Sequence, residues 1–345
     1  MCDLKQFILE SDSLLKGKKL YAVCNTKNRD INCENFNKFD IRTEYLSDNE
    51  FEQIDNMLNK CLAVEKYFFD EIEFINFVCN TNPDNQTMVV YNSAQSGTGI
   101  GRKSLMPAFC ASKGIKVTGS NTYAVSLCRH KYHTIKLLES HGLDVPKTYL
   151  YDRGWVAEQP KIGELYLLKP IYESSSIGIN KESVVQYDDD TIKLIKTKQY
   201  EMKQPIIVQS FVKGYEAEVP CIVVKGHIYA LNPVGIALNE NEKIMDFNIL
   251  DYDKVFFDNY HFFNLCDTPL NTQQIICDAK SAVKVLGLSG LCRVDFRIDE
   301  SGRHYIIDVS TNPHFINHSS VNYAFKQLSI NSECIMKIIL GAALV

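Results

Sequence analysis

The residues best suited to chemistry lie far apart in a 345-residue sequence. Lys131 follows Gly119 and Ser120 on a helical stretch. Lys169 ends an apolar run and precedes Glu173, Ser174, Ser175, Ser176 and Gly178, a loop of small polar residues. Glu216 lies just beyond Gly214 and the apolar run Ile206 to Val212. Arg293 and Asp295 share one face of a strand-like stretch, and Asp308 sits on the next such stretch, two residues before Ser310. Lysines bind phosphate as point charges. Hard oxygen ligands suit Mg2+, which keeps waters and bridges phosphates. Two lysines, a small polar loop and two carboxylates on adjacent strands are what ATP with magnesium requires. Each piece alone has a plainer reading, Lys169 as a surface residue and Arg293 with Asp295 as a salt bridge. Their order and spacing together favour function.

Two other patterns carry less. Gly97, Gly99 and Gly101 follow one strand-like segment and precede a helix-like one. A Walker A loop fails because Arg102 separates Gly101 from Lys103, and a Rossmann loop fails because the third glycine comes one position early. A flexible turn is the favoured reading, with Arg102 and Lys103 available to an anionic substrate. His314 and His318 have the spacing that puts two ligands on one helical face, and His130 and His133 flank Lys131. Neither pair has an evident third ligand, so zinc chemistry is disfavoured.

The elements that must position these residues begin with an alternating series. Leu20 to Cys24, Phe74 to Val78, Met88 to Tyr91 and Ile115 to Thr118 read as strands, with helices over 48–66 and from Lys103 to Lys113. That implies a parallel α/β unit. One helix is expected over 122–142, stopped by Gly142. Strands follow at Leu165 to Pro170, Ile206 to Val212, a hairpin around Lys225 and Gly226, and a pair around Asp299 to Gly302. A last helix is expected over 318–340.

Composition sets the outer bounds. Hydrophobic residues make up 45% and charged residues 23%, as in a soluble globular chain rather than a disordered one or a fibre. The net charge of −5 argues weakly against a generic nucleic-acid binder. Twelve cysteines without any C-x-x-C spacing point to reduced thiols in a cytosolic protein. No apolar run reaches the roughly 20 residues of a membrane-spanning helix. The amino terminus is charged where a signal peptide needs an apolar stretch.

Over roughly residues 88–325 the chain resembles the ATP-grasp superfamily, specifically enzymes of the D-alanine–D-alanine ligase type. Gly119, Ser120, Ala124, Leu127 and Lys131 follow the family spacing G-S-x3-A-x2-L-S-M-D-K. Lys169 to Gly178 is similar to K-P-x2-E-G-S-S-x-G, and Gln209 to Glu216 to E-x-W/F-L/I-x-G-x-E. Gly290 to Phe296 matches G-x-x-R-x-D-x. Asp308 to Pro313 stands where the family has E-x-N-T-x-P-G, and His318 with Ser319 resembles an H-S motif.

The resemblance implies an ATP-grasp fold, α/β and α+β, with an N-terminal parallel α/β substrate domain over 1–118. A central lid domain over 119–205 and a C-terminal domain over 206–345 would follow. It implies an ADP-forming carbon–nitrogen ligase that joins a carboxylate and an amine, both small molecules, through an acylphosphate. ATP and Mg2+ would be its cofactors. Homodimers are common in the family, and neither nucleic acid nor membrane is an implied partner.

By resemblance Lys131, Lys169, Glu173, Gln209, Phe211, Val212 and Glu216 hold ATP. Asp295, Asp308, Ser310 and Asn312 hold the metal. Arg293, Ser175 and Ser176 are catalytic, and Arg102, His314, His318 and Ser319 meet substrate. A nucleotide-binding protein without catalysis and a kinase on the same fold are the alternatives, the first motivated by departures from the motifs. Asp308 is one carbon shorter than the family glutamate, Ser310 replaces an asparagine and His314 a glycine. Leu250 stands where a γ-phosphate lysine is expected, with Lys243 and Lys254 as replacements. The turn from Asn25 to Arg29 lacks the family glutamate for the first substrate's amino group. Lys27, Arg29, Arg102 and Lys103 would suit a substrate other than D-alanine that bears an extra acid group.

Overall fold

The computed structural model describes residues 2–27, 41–97, 99–238, 244–245 and 248–345. Helix α1 (Cys2–Leu15) leads into strand β1 (Lys19–Cys24). Then come α2 (Asp48–Cys61), β2 (Val64–Phe68), α3 (Glu71–Thr81), β3 (Met88–Ser93), α4 (Leu105–Lys113) and β4 (Lys116–Val117). The strands pair in parallel in the order β2-β1-β3-β4. Along β1, Leu20, Ala22 and Cys24 enter one core while Tyr21 and Val23 enter another with Phe74 and Met106. A strand covered on both faces reads as an unbroken apolar run, which is why this one was legible.

The expected strand Phe74 to Val78 is the middle of α3. The Asp70 carboxylate accepts from the backbone N–H groups of Ile72 and Glu73, capping the helix. Phe74 and Val78 then lie four apart on its buried face. A short apolar run fits either period, and here the cap decides. The strand that pairs here is β2, whose first three residues the expected 48–66 helix overlaps.

The expected 122–142 helix is two, α5 (Thr122–Arg129) and α6 (Lys131–Ser140). His130 leaves helical geometry at φ −92° and ψ 82°, and its Nδ1 accepts from His133 N. Next come β5 (Thr148–Tyr151), β6 (Leu165–Pro170), β7 (Val184–Gln186), α7 (Thr191–Met202) and β8 (Ile206–Ser210). They form an antiparallel sheet in the order β5-β8-β6-β7. Since β8 lies inside this sheet, a joint at 205/206 would cut it. We propose the boundary between Ser210 and Gly214 instead.

The third sheet contains β9 (Tyr215–Val224), β10 (His227–Ala230), β11 (Val234–Ala237), β12 (His261–Asn264), β13 (Gly290–Ile298) and β14 (His304–Ser310). Its path is β12-β11-β9-β13-β14, with β10 on β9. Short α8 (Tyr252–Phe256) and long α9 (Thr272–Val285) lie between strands. Gly214 brings the chain from β8 into β9, close against the end of β13. Its φ is +130°, and a Cβ there would lie 2.0 Å from Ile298 O, so no side chain fits. The expected 318–340 helix is α10 (Ser320–Gln327) followed by α11 (Ser332–Ala342), and α11 packs against α1 and α2.

Candidate active site

Strands β9 and β13 alternate strictly. Ala217, Val219, Cys221, Cys292, Val294, Phe296 and Ile298 bury one face in a core with α9. The other face carries Glu216, Glu218, Arg293, Asp295 and Arg297 into a cleft of about 940 Å³. Antiparallel register aligns these charges in rows. Asp295 stands between Glu218 on β9 and Asp308 on β14, and Arg297 stands beside Glu216. Arg293 grips both Asp295 oxygens at 2.7 and 2.8 Å and reaches Glu218 at 2.7 Å. Burial alone would lower the Arg293 pKa, but Asp295 and Glu218 hold it above the ordinary value. Burial pushes Glu218 up to about 7 against the pull of Arg293.

One extra residue in β14 creates the next contact. Asp295 pairs with Asp308 but Phe296 pairs with Ile306, so Ile307 bulges from the ladder. Its carbonyl accepts from Lys169 Nζ at 3.1 Å. Lys131, the first residue of α6, pairs with Asp308. Burial lowers Lys169 to about 8, Asp308 opposes that shift, and Lys131 reinforces it. Asp308 is itself held below the usual carboxylate range: burial would raise it, but Lys131 and Lys169 win.

At the other end, Arg297 donates to Val212 O at 2.9 Å and to Glu216 at 3.0 Å, and its guanidinium lies 4.9 Å from the centre of the Phe211 ring. Sequence reasoning missed Arg297, although the alternation through Arg293 and Asp295 continues to it. The Gln209 side chain donates to Thr148 Oγ1 and is buried.

Above the floor, Ser175 and Ser176 both adopt left-handed backbone, at φ 52° and 55°. Strain of that kind persists only when surroundings hold it, and it concentrates at ligand clamps. Ser176 Oγ donates to Leu250 O at 2.6 Å. Ser174 Oγ donates to Glu44 at 2.6 Å, across to the N-terminal unit. Glu44 also meets Lys103 at 2.9 Å, Arg102 at 3.1 Å and Arg129 at 3.8 Å. Burial would raise its carboxyl, but Lys103, Arg102 and Arg129 drive it far below the usual range. Glu44 is a second residue the sequence reading missed. It ends a 3-10 turn, Ile41–Glu44, where no periodicity marks a side chain.

Of the expected site residues, all but Arg102 line this one cleft. Arg102 is 1% exposed and lies behind the wall, with Nε on Gln95 O and its terminal nitrogens on Glu44 and Glu173. It is the one expected site residue that stands behind the cleft wall rather than on its lining. Glu173 faces Arg102 at 3.2 Å and Arg129 at 3.5 Å and accepts from Gln204. His314 and His318 precede α10 in irregular chain, so they do not share a helical face. His314 faces Glu50 at 3.7 Å, and His318 pairs with Asp258. The Ser319 hydroxyl caps α10. Lys254 is tied to Asp251 and Ile249 O, outside the cleft lining, while Arg29 and Lys243 lie outside the described residues.

The donor set at the centre fits Mg2+. Asp295 and Asp308 are direct cross-strand partners, Ser310 stands opposite Arg293 on the same strand pair, and Asn312 also lines the cleft. These are hard ligands, and an ion that uses one or two carboxylates plus phosphate oxygens needs no larger protein cage. Among the described residues no group of three or more His, Cys, Asp or Glu forms a metal cluster. No helix among them is long and apolar enough to cross a membrane.

Residues 153–341 match the family D-ala D-ala ligase C-terminus. A D-alanine–D-alanine ligase of Cupriavidus taiwanensis is 28% identical over 235 residues, covering 67% of this chain and 68% of that one. Another, of Saccharophagus degradans, is 29% identical over 65% of this chain and 68% of the relative. Among solved structures, D-alanine–D-alanine ligase of Bacillus anthracis complexed with ATP aligns with a TM-score of 0.66 at 16% identity, over 94% of this chain and 97% of that one. The VanG D-Ala:D-Ser ligase of Enterococcus faecalis aligns with a TM-score of 0.64 at 17% identity, over 95% and 99%.

Proposed function

The chain belongs to the D-ala D-ala ligase C-terminus family, and on that premise we propose how its cleft joins a carboxylate to an amine at the expense of ATP. The chain is an ATP-grasp ligase that forms an amide bond and releases ADP and phosphate. The observation that carries the residue assignment is the convergence of Lys131, Lys169, Arg293, Asp295 and Asp308 on one cleft.

ATP would lie between the central and C-terminal sheets, its base against Phe211 and Val212 and its ribose toward Glu216. Arg297 already orients Glu216 and fixes the Val212 carbonyl. Lys131 and Lys169 would release Asp308 and Ile307 O and turn to the phosphates. Asp295 and Asp308, with Ser310 or Asn312, would then hold Mg2+, which spreads the charge of the transferring phosphoryl group.

A donor carboxylate oxygen attacks the γ-phosphorus, and the bond to ADP breaks. The amine nitrogen then attacks the acyl carbon, the tetrahedral intermediate expels phosphate, and the amine proton is lost. Arg293 would stabilise the oxyanion at each stage, since charge moves between oxygens there. Ser175 and Ser176 would close over the phosphates and keep water from the acylphosphate. His314, His318 and Ser319 border the acceptor end.

The test is ADP release with Mg2+ across carboxylate donors and amine acceptors, with product mass read in parallel. The ligase predicts ADP and amide in equal amounts. A stable phosphorylated product, or nucleotide binding without turnover on every pair, would overturn it.

A further inference from the structure

Where the N-terminal unit meets the serine loop, three cations face two carboxylates among the described residues: Arg102, Lys103 and Arg129 against Glu44 and Glu173. Arg102 is engaged by Gln95 O and both carboxylates, behind the wall. Glu44 carries three cations and the Ser174 hydroxyl, so it has no capacity for a substrate ammonium. Of the three cations, Lys103 and Arg129 line the cleft together with Lys27, and Glu44, Glu50 and Glu173 share that lining.

A second observation is independent of that balance. Arg129 is 8% exposed, and its Nε is buried without a hydrogen-bond partner. A buried donor left unpaired is costly, so an acceptor brought to it by a small shift of the Arg129 side chain would be favoured there. The lysine shows the same imbalance. Burial, with Arg129 and Arg102, lowers Lys103 to about 8 against the pull of Glu44. An arriving anion would offset the two arginines.

We propose that this wall is a subsite for a second carboxylate of the donor substrate, held by Lys103 and Arg129. The donor is then a dicarboxylic acid or an acidic amino acid. This rests on the ligase reading and goes beyond it by naming the donor class. The contact from Ser174 to Glu44 places the subsite against the loop that covers the phosphates, which leaves the donor's other carboxylate toward Lys169 and Arg293.

The experiment traps the acylphosphate with hydroxylamine and measures ADP and hydroxamate, using the full chain with Mg2+ and saturating ATP. Donors are matched in pairs: butyrate with succinate or glutarate, and alanine with aspartate or glutamate in both enantiomers. The acidic partner should exceed its neutral match at least tenfold in kcat/KM. Lys103→Met should erase that preference by raising the donor KM about tenfold, while the KM for ATP stays within twofold. Arg129→Lys serves as a second variant that keeps the charge but removes Nε, and should raise the same KM. Equal or better turnover of neutral donors overturns the proposal. So does a rise in the KM for ATP in place of the donor's, which would make the wall a phosphate site. If no donor yields ADP, the ligase reading fails separately, and calorimetric titration of succinate decides the subsite. Heat lost in Lys103→Met upholds it, and no heat in either protein overturns it.

Discussion

Two charged surfaces face each other across the cleft, and they are built differently. On the floor, Lys131, Lys169, Arg293 and Arg297 meet Glu216, Glu218, Asp295 and Asp308, four cations against four carboxylates. On the N-terminal wall, three cations meet two carboxylates. The floor neutralises itself, and on the proposed reading nucleotide and metal together would open it, phosphate drawing Lys131 away from Asp308. Among the described residues the wall cluster holds one more cation than carboxylate before any ligand arrives. A balanced surface is suited to rearranging charge during a reaction, and a surplus surface to selecting what enters.

The sharpest way to break this contrast is to remove the floor's central cation. Arg293→Ala should lower kcat by about 10²–10³, leaving Asp295 and Glu218 as unpaired buried carboxylates. A kcat within threefold of the parent would show that the floor is structural. Next, Arg297→Met should raise the KM for ATP about tenfold, with the donor KM little changed and partial rescue by Arg297→Lys. An unchanged ATP KM would remove Arg297 from nucleotide positioning.

The wall makes the opposite prediction. Lys103 is faced by Glu44, Arg102 and Arg129, and its depressed pKa of about 8 means it loses its charge as pH rises through that value. The KM for an acidic donor should therefore be flat below about pH 8 and rise above it. The Lys103→Met variant should lack that limb, and a profile shared by both proteins would assign the titration elsewhere. The smallest effect belongs to neither surface. Asp70→Ala removes the cap of α3 and should cost about 1 kcal/mol in chemical denaturation with unchanged kinetics. A kinetic change there would mean that packing in the N-terminal unit reaches the cleft.

The same contrast explains what was legible in the sequence. The floor comes from strands of period two, so Arg293, Asp295 and Glu216 announce their shared face, and Arg297 follows by the same count. The wall is assembled from a 3-10 turn, a glycine-flanked loop, the end of α5 and the serine loop. No periodicity links Glu44 to Arg102 or Arg129, because their partnership exists only after the sheets are in place. The burial of Arg102 was hidden for the same reason: a basic residue in a glycine loop suggests exposure, and only the fold reveals the two carboxylates that hold it behind the wall. Phe74 to Val78 misled because five apolar-rich residues do not fix a period, whereas the Asp70 cap does.

The irregular residue His130 has a consequence for the size of what the cleft accepts. It sends Arg129 toward the wall and Lys131 toward Asp308, so neighbouring links of one chain anchor the two ends of the working space. Their α-carbons can be no more than about 7 Å apart in any conformation. That span is a covalent ruler, indifferent to how wide the lid swings. With the donor's second carboxylate on the wall, it would tie the far end of the donor to the phosphate end of the nucleotide and favour short donors over long ones.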